Sequence, residues 1–301
     1  MPTALSPFSC PLVAGRGVAA LRVRQACAER GMQPVAARGT ESSLIEEARA
    51  AGCDALHPGE CDAARQAALA ERCRHFGLRF LGGEPRLLDA MAEGRIMRQR
   101  MREAGLPLAA SEPGGEVIAI SLLADRFGRV LYLSPRRHRD HISMAPLGEL
   151  TKERYRYLGE LAARGVARLG VVGLVEARFR IEGNRLGFLD MRPGPTGDEA
   201  LDEVLMGLDP LVEQLRVLSG ERLRERQSRL AVNGQARLWR LVPPSGGVLT
   251  GGPGVRLDRC EEGGEARLVV WGRRSGDVET RARRVFVEWW GESEARRWLA
   301  I

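Results

Sequence analysis

The chain has 301 residues, 44% of them hydrophobic and 28% charged, an ordinary balance for a folded protein whose length calls for two or three cores. Its formal net charge is +7, yet the arginines alternate with acids along helical stretches, as in Glu153-Arg154 and Glu221 to Arg226, and aromatics make up only 5%, so no nucleic-acid platform is expected. No window offers the ~20 apolar residues of a membrane span. Met1 to Ala20 lacks the charged-then-apolar order of a signal peptide, so no membrane attachment and a cytoplasmic location are expected.

In chain order, Pro11 to Ala14 is a short apolar run, followed by Gly15-Arg16-Gly17 and a helical pattern from Val18 to Arg30 that stops at Gly31. Pro34 to Ala37 reads as a strand and Ser42 to Ala51 as a helix. Asp54-Ala55-Leu56 reads as a strand running into His57-Pro58-Gly59. Ala63 to Phe76 is helical with Gly77 as its cap, and Leu78 to Leu81 is another strand. This alternation predicts a parallel, wound α/β domain over roughly residues 10–83, taken as a first domain of 1–83. Glu84 to Ala104 is one run of helix formers ending at Gly105 and Pro107, and Ser111 to Gly115 is a Pro/Gly-rich link. Val117 to Leu123 and Arg129 to Leu133 read as strands joined by a turn. Lys152 to Leu169 is a long amphipathic helix. Leu174 to Ile181 and Arg185 to Met191 form a hairpin around Glu182-Gly183-Asn184, and Pro210 to Ser219 is helical. Short strands and Gly/Pro turns follow from Ala231, with a last helix from about Val278 to Trp290. Strands mixed with helices make the second half α+β, divided into a core of 84–220 and a small β-rich domain of 221–301.

Six cysteines, at 10, 27, 53, 61, 73 and 260, form no Cys-x-x-Cys pair and lie next to no histidine at metal spacing, so reduced structural thiols are expected. Lys152 is the single lysine among 46 basic residues, which excludes any mechanism needing several lysines on phosphate; arginine binds phosphate with a planar fork instead.

The hairpin is the most informative element. With its turn centred on Gly183, Glu176 and Asp190 are equidistant from the bend and should face each other, their Cβ atoms about 4.5–5.5 Å apart. Two such carboxylates repel by about 3 kcal/mol at an effective dielectric of about 20. Either a divalent cation bridges them, or the flanking Arg178 and Arg192 neutralise them. Gly15-x-Gly17 reads as a tight strand–helix turn rather than a phosphate loop, and the glycines of Ser245 to Gly254 read as consecutive turns, without the lysine of a P-loop. Arg136-Arg137-His138-Arg139-Asp140-His141 reads as a solvated or anion-binding loop, since its arginines disfavour a metal.

Taken together these pieces resemble biotin carboxylase, an ATP-grasp enzyme, over nearly the whole chain. Pro11-Leu-Val-Ala-Gly-Arg-Gly17 resembles the family's opening strand and turn, and Ala55-Leu-His57-Pro58-Gly59 its Ala-Ile-His-Pro-Gly. Arg79-Phe-Leu-Gly82, Met101 to Pro107, Leu123-Ala-Asp125, Arg136-Arg137-His138, Gly173 to Glu176, Phe188-Leu-Asp190-Met191 and Gly254-Val-Arg256 continue it in order. The resemblance implies a biotin carboxylase N-terminal-like domain, an ATP-grasp core and a C-terminal-like domain. It also implies that Glu176 and Asp190 would hold magnesium on ATP and that Asp198 would take a proton from bicarbonate. Arg256 would bind an anion or the biotin enolate, with Arg95 and His138 on the nucleotide side.

The departures are as telling. Between Ser111 and Val117 only a few residues stand where the family inserts its lid. Arg95 is the cation nearest a missing lysine, and Asp140 stands where another would be. Arg192 replaces a metal-binding asparagine, and Gly194 the catalytic arginine. Magnesium binds poorly without substrate phosphates, and an open site loses preorganised charge. The expectation is therefore a pseudoenzyme or accessory subunit with no resident cofactor. Its candidate partners are a biotin carrier protein, a biotin carboxylase subunit or a second copy of itself. An ATP-dependent ligase using Mg-ATP through Glu176 and Asp190, or an anion sensor using Arg256 and the loop from Arg136 to His141, are the alternatives.

Overall fold

The structure is a computed structural model that describes residues 8–37, 39–110, 114–183, 185–245, 249, 252–260 and 264–300. The first region alternates β1 (Pro11–Val13), α1 (Val18–Glu29), β2 (Val35–Ala36), α2 (Leu44–Ala50), β3 (Ala55–His57), α3 (Ala63–His75) and β4 (Arg79–Phe80). The strands are parallel in the order β2-β1-β3-β4. Both faces are covered, which is why β1 and β3 carry no exposed residue. Leu12 and Leu56 pack towards Leu44, Ile45 and Leu69, while Val13 and Ala55 pack towards Val23 and Leu215. The loops after β1 and β3 touch: Gly59 has φ +67°, and a Cβ there would lie 2.2 Å from the Ala14 carbonyl oxygen. At the end of β3 His57 is wholly buried. Its Nδ1 accepts a hydrogen bond from the Gly59 N–H at 3.0 Å, and the Gln214 side chain stands beside the ring.

The run expected as one helix is two, α4 (Pro85–Ala92) and α5 (Gly94–Glu103), broken at Glu93, whose ψ of 79° is not helical. Next come β5 (Glu116–Ala124), β6 (Val130–Tyr132), β7 (Arg137–Arg139), β8 (Ile142–Ala145), α6 (Lys152–Leu169), β9 (Gly173–Glu182) and β10 (Arg185–Pro193). An antiparallel sheet in the order β10-β9-β5-β6 carries Ile118, Ile120, Leu122, Ala177 and Phe179 on one face, against α4, α5 and α6. Helix α6 lies close because it presents glycines. A Cβ on Gly159 would meet the Tyr132 ring at 2.2 Å, and one on Gly165 would meet Met101 at 2.7 Å.

The chain ends with α7 (Glu199–Met206), α8 (Pro210–Leu218), β11 (Gln235–Leu241), β12 (Val255–Arg259), β13 (Ala266–Gly272) and α9 (Ser275–Leu299). A third, antiparallel sheet runs β12-β13-β11-β8-β7. Two corrections follow. The segment from Arg136 to His141 is not a loop, although His138, Arg139 and Asp140 are exposed: β7 and β8 form a hairpin, and β8 pairs with β11. A division at residue 220 therefore cuts through a sheet. The final helix also starts earlier and ends later than expected, with a non-helical break at Gly291. Of the glycine-rich run from Ser245 to Gly254, residues 246–248, 250 and 251 lie outside the described residues. Among the described residues no helix is long and apolar enough to cross a membrane.

Two outcomes are expected. Gly159→Ala should lower stability to denaturant by about 1–3 kcal/mol, although alanine is the better helix former, because the added methyl overlaps Tyr132. Burial holds His57 down at about 4, against an ordinary value of 6.5. Its neutral form is favoured in the fold, so its contribution is complete above pH 6.5 and is lost as pH falls towards 4. The loss amounts to up to about 3 kcal/mol. Urea unfolding from pH 7 to 4 should show a shallower decline for His57→Gln.

Candidate functional site

On the face of the central sheet away from α6, Ser121, Glu176 and Arg192 lie in one row across β5, β9 and β10. Ala119, Arg178 and Asp190 form the next row. Glu176 and Asp190 are thus diagonal, not opposite. A bulge between Phe188 and Asp190 shifts the register, so Asp190 faces Arg178 and Glu176 faces Arg192. Arg178 grips both oxygens of Asp190, with Nε to Oδ1 at 2.6 Å. Of the two flanking arginines expected to neutralise the hairpin acids, Arg178 does so for Asp190, whereas the ion pair on Glu176 comes from Arg136 rather than Arg192.

Glu176 meets Arg136, a residue that is wholly buried. The Arg136 guanidinium donates to Glu176 Oε2 at 2.7 Å, to Ser121 Oγ at 2.5 Å and to Asp202 Oδ2 at 3.0 Å, and its Nε lies 3.8 Å from Asp198. Burial alone would raise the Glu176 carboxyl; Arg136 overrides it and holds the group at about 2. Asp202, completely enclosed and also bonded by the Ser134 N–H, is pushed up to about 7 by that enclosure despite its arginine. The Arg136 charge itself is strongly favoured, because its carboxylate neighbours outweigh desolvation.

Asp198 is buried at the start of α7 and points into the third sheet. It accepts from Ser143 Oγ at 2.9 Å, lies 3.1 Å from His138 Nδ1 and is bonded by Arg240. Ser143 also accepts from Arg240 Nη1 at 3.0 Å. Its one proton goes to Asp198, so His138 Nδ1, 2.8 Å from Ser143 Oγ, is the donor of that contact. His138 Nε2 faces Glu176 at 3.8 Å. The structure therefore brings together Glu176, His138 and Asp198 from the expected set, joined by Arg136.

The remaining expected residues stand apart. Arg256 is bonded at 2.8 and 2.7 Å by Asp258 and at 2.9 Å by Glu203, which also takes Arg22 at 3.0 Å. Its fork is filled by carboxylates, which disfavours anion capture. Arg95 is exposed on α5 and makes no bond to the cluster. Sequence reasoning missed Asp202, Ser121, Ser143 and Arg240. The one available signal was Asp198 and Asp202 at i and i+4, which places both on one helix face.

Beside the cluster lies a cavity of about 610 Å³, lined among others by Glu60, Cys61, Met91, Met191, Arg192 and Thr196. Burial pushes the Glu60 carboxyl up to about 7, although Arg267 stands nearby. Magnesium with ATP does not fit the hairpin acids as they stand: each already carries a guanidinium on its oxygens, and displacing Arg136 would strand the buried carboxylates of Glu176 and Asp202. Among the described residues no cluster of three or more His, Cys, Asp or Glu side chains is placed to hold a metal.

Replacing Arg136 by Met should cost about 3–5 kcal/mol in chemical denaturation, because Glu176, Asp198 and Asp202 lose their common counter-charge inside the protein.

The family described as "Carbamoyl-phosphate synthase L chain, ATP binding domain" matches residues 117–226. A pyruvate carboxylase subunit of Methanothermobacter thermautotrophicus is 23% identical over 94% of this chain and 83% of its own length. That alignment spans 408 positions, more than this whole chain, so the relative has segments with no counterpart here. The biotin carboxylase of Allochromatium vinosum is 23% identical over 82% of this chain and 81% of its own. Among solved structures, the biotin carboxylase domain dimer of Hydrogenobacter thermophilus 2-oxoglutarate carboxylase, in complex with MgADP, ADP and bicarbonate, superposes with a TM-score of 0.84. It is 20% identical, covering 94% of this chain and 90% of that one. In sequence this chain is similar to biotin carboxylases, and in fold it matches their biotin carboxylase domain.

Proposed function

We propose that this chain is a biotin-carboxylase-like protein that does not carry out ATP-dependent carboxylation and instead serves as an accessory component for a carboxylase-type partner. The observation that carries this reading is the Arg136 guanidinium lodged among Glu176, Asp198 and Asp202. Residues that the resemblance assigns to magnesium and bicarbonate are here tied into an internal charge network. Three further features support it. Lys152 is the single lysine and sits at the exposed start of α6. The short connection between α5 and β5 leaves no room for an inserted lid. Arg256 is held by Asp258 and Glu203. The partner classes that follow are a biotin carrier protein, a biotin carboxylase subunit or a second copy of this chain, since a relative forms a biotin carboxylase domain dimer. A small anion is the second reading, favoured by the cavity beside the exposed Arg192.

Calorimetric titration of the full chain with millimolar ATP and magnesium should give no binding heat, and nucleotide turnover should not respond to bicarbonate and free biotin. Purified biotin carboxylase or carrier proteins should be retained on the immobilised chain. Bicarbonate- and biotin-dependent turnover would overturn the reading. Retention of neither protein, together with anion binding that Arg192→Ala abolishes, would favour the second.

A further inference from the structure

We propose that Cys10 and Cys53 form a reversible dithiol–disulfide site, a modification site on the N-terminal sheet that takes a small disulfide such as oxidised glutathione as its oxidant. The two sulfurs are 3.9 Å apart, with the Cys10 thiol directed at Cys53. The backbone fixes both residues. Cys10 leads directly into β1, and Cys53 stands two residues before β3, its parallel neighbour. The Asp54 N–H donates to the Cys10 carbonyl at 3.1 Å, and the Cys53 N–H to the Ala48 carbonyl at 2.8 Å. The Asp54 carboxylate then clamps the opposite segment, accepting from the Cys10 N–H at 3.0 Å, the Ser9 N–H at 2.6 Å and the Ser9 hydroxyl at 2.9 Å. Strand spacing and the Pro11–Ala55 register put the two Cα atoms about 6 Å apart, inside the range that a disulfide spans. Rotation of the side chains closes the remaining gap without moving a strand.

The two thiols differ in a way that orders the chemistry. Cys10 is partly exposed, whereas Cys53 is 8% exposed and packs in the core with Leu44 and Ile45. Burial and the Cys10 neighbour push the Cys53 thiol up to about 12. A small disulfide therefore meets Cys10 first. The Cys10 sulfur, its proton lost to solvent, attacks one sulfur of oxidised glutathione. The glutathione S–S bond breaks, a mixed disulfide forms and one glutathione leaves as thiol. Cys53 then attacks the Cys10 sulfur, its proton passing to the departing glutathione sulfur, and the second glutathione leaves as thiol. The protein loses two hydrogen atoms, and one glutathione disulfide becomes two thiols. Cys27 and Cys73 are shut in the core with thiols raised to about 12 and about 11, so they do not compete.

The test equilibrates the full chain in glutathione redox buffers, quenches with acid, alkylates and maps peptides by mass. The expected result is loss of two hydrogen atoms, a linked Cys10–Cys53 peptide free of glutathione, and full reversal by dithiothreitol. Cys53→Ser should stop at a glutathione adduct on Cys10, whereas Cys10→Ser should leave Cys53 unmodified; the wild-type result does not depend on either variant folding. A Cys10 adduct that never resolves in the wild type, a link to a different cysteine, or complete alkylation of both thiols after equilibration would each overturn the proposal.

Discussion

The placement of one guanidinium constrains more of this molecule than any other group. Arg136 has no access to water, and an uncompensated charge in that position would cost several kcal/mol. Its partners come from different elements: Ser121 on β5, Glu176 on β9 and Asp202 on α7, with Asp198 at the head of the same helix. Through Asp198 the network reaches Ser143 on β8 and Arg240 on β11. The central and C-terminal sheets are thus joined by ionised groups as well as by apolar packing. A buried charge network adds little to net stability compared with an apolar core of the same shape. It does penalise every arrangement in which one member is missing, and so fixes how the two sheets and α7 meet.

The same network limits what these carboxylates can bind. A carboxylate that accepts from arginine is a poor ligand for a hard cation, because the lone pairs a metal would use are already engaged. Asp190 and Asp198 are caught in the same way, by Arg178 and Arg240, and the positive partner of the C-terminal sheet, Arg256, is itself caught by Asp258 and Glu203. In a chain with a single lysine, arginine performs every one of these pairings. Its rigid fork suits permanent, two-point contacts better than transient ones.

Much of the N-terminal region was legible in the sequence, because short uniformly apolar strands separated by helices with clear glycine stops have few other readings. The hairpin was legible as an element but not in its pairing. The Arg185–Glu182 register centres the bend past Gly183, which already takes the two acids out of opposition, and one extra residue between Phe188 and Asp190 shifts the pairing again; nothing in the residue types marks that bulge. The stretch from Arg136 to His141 was misread for a different reason. Its charge density suggests solvent, which holds for His138, Arg139 and Asp140, but the counter-charges that bury Arg136 lie forty and more residues away on Glu176, Asp198 and Asp202, a distance over which pattern carries no information. The break at Glu93 was likewise hidden inside a run of good helix formers.

Strands β7 and β8 are made early and used late. They precede β11, the strand that β8 pairs with, by roughly 90 residues, and between them the chain must complete the central sheet and three α-helices. Until β11 is in place, β8 presents unpaired backbone groups along one side, the kind of edge on which chains stick to one another. Synthesis of this protein therefore passes through a stage in which a two-stranded ribbon waits for its sheet. A product ending near residue 220 would be held at that stage permanently.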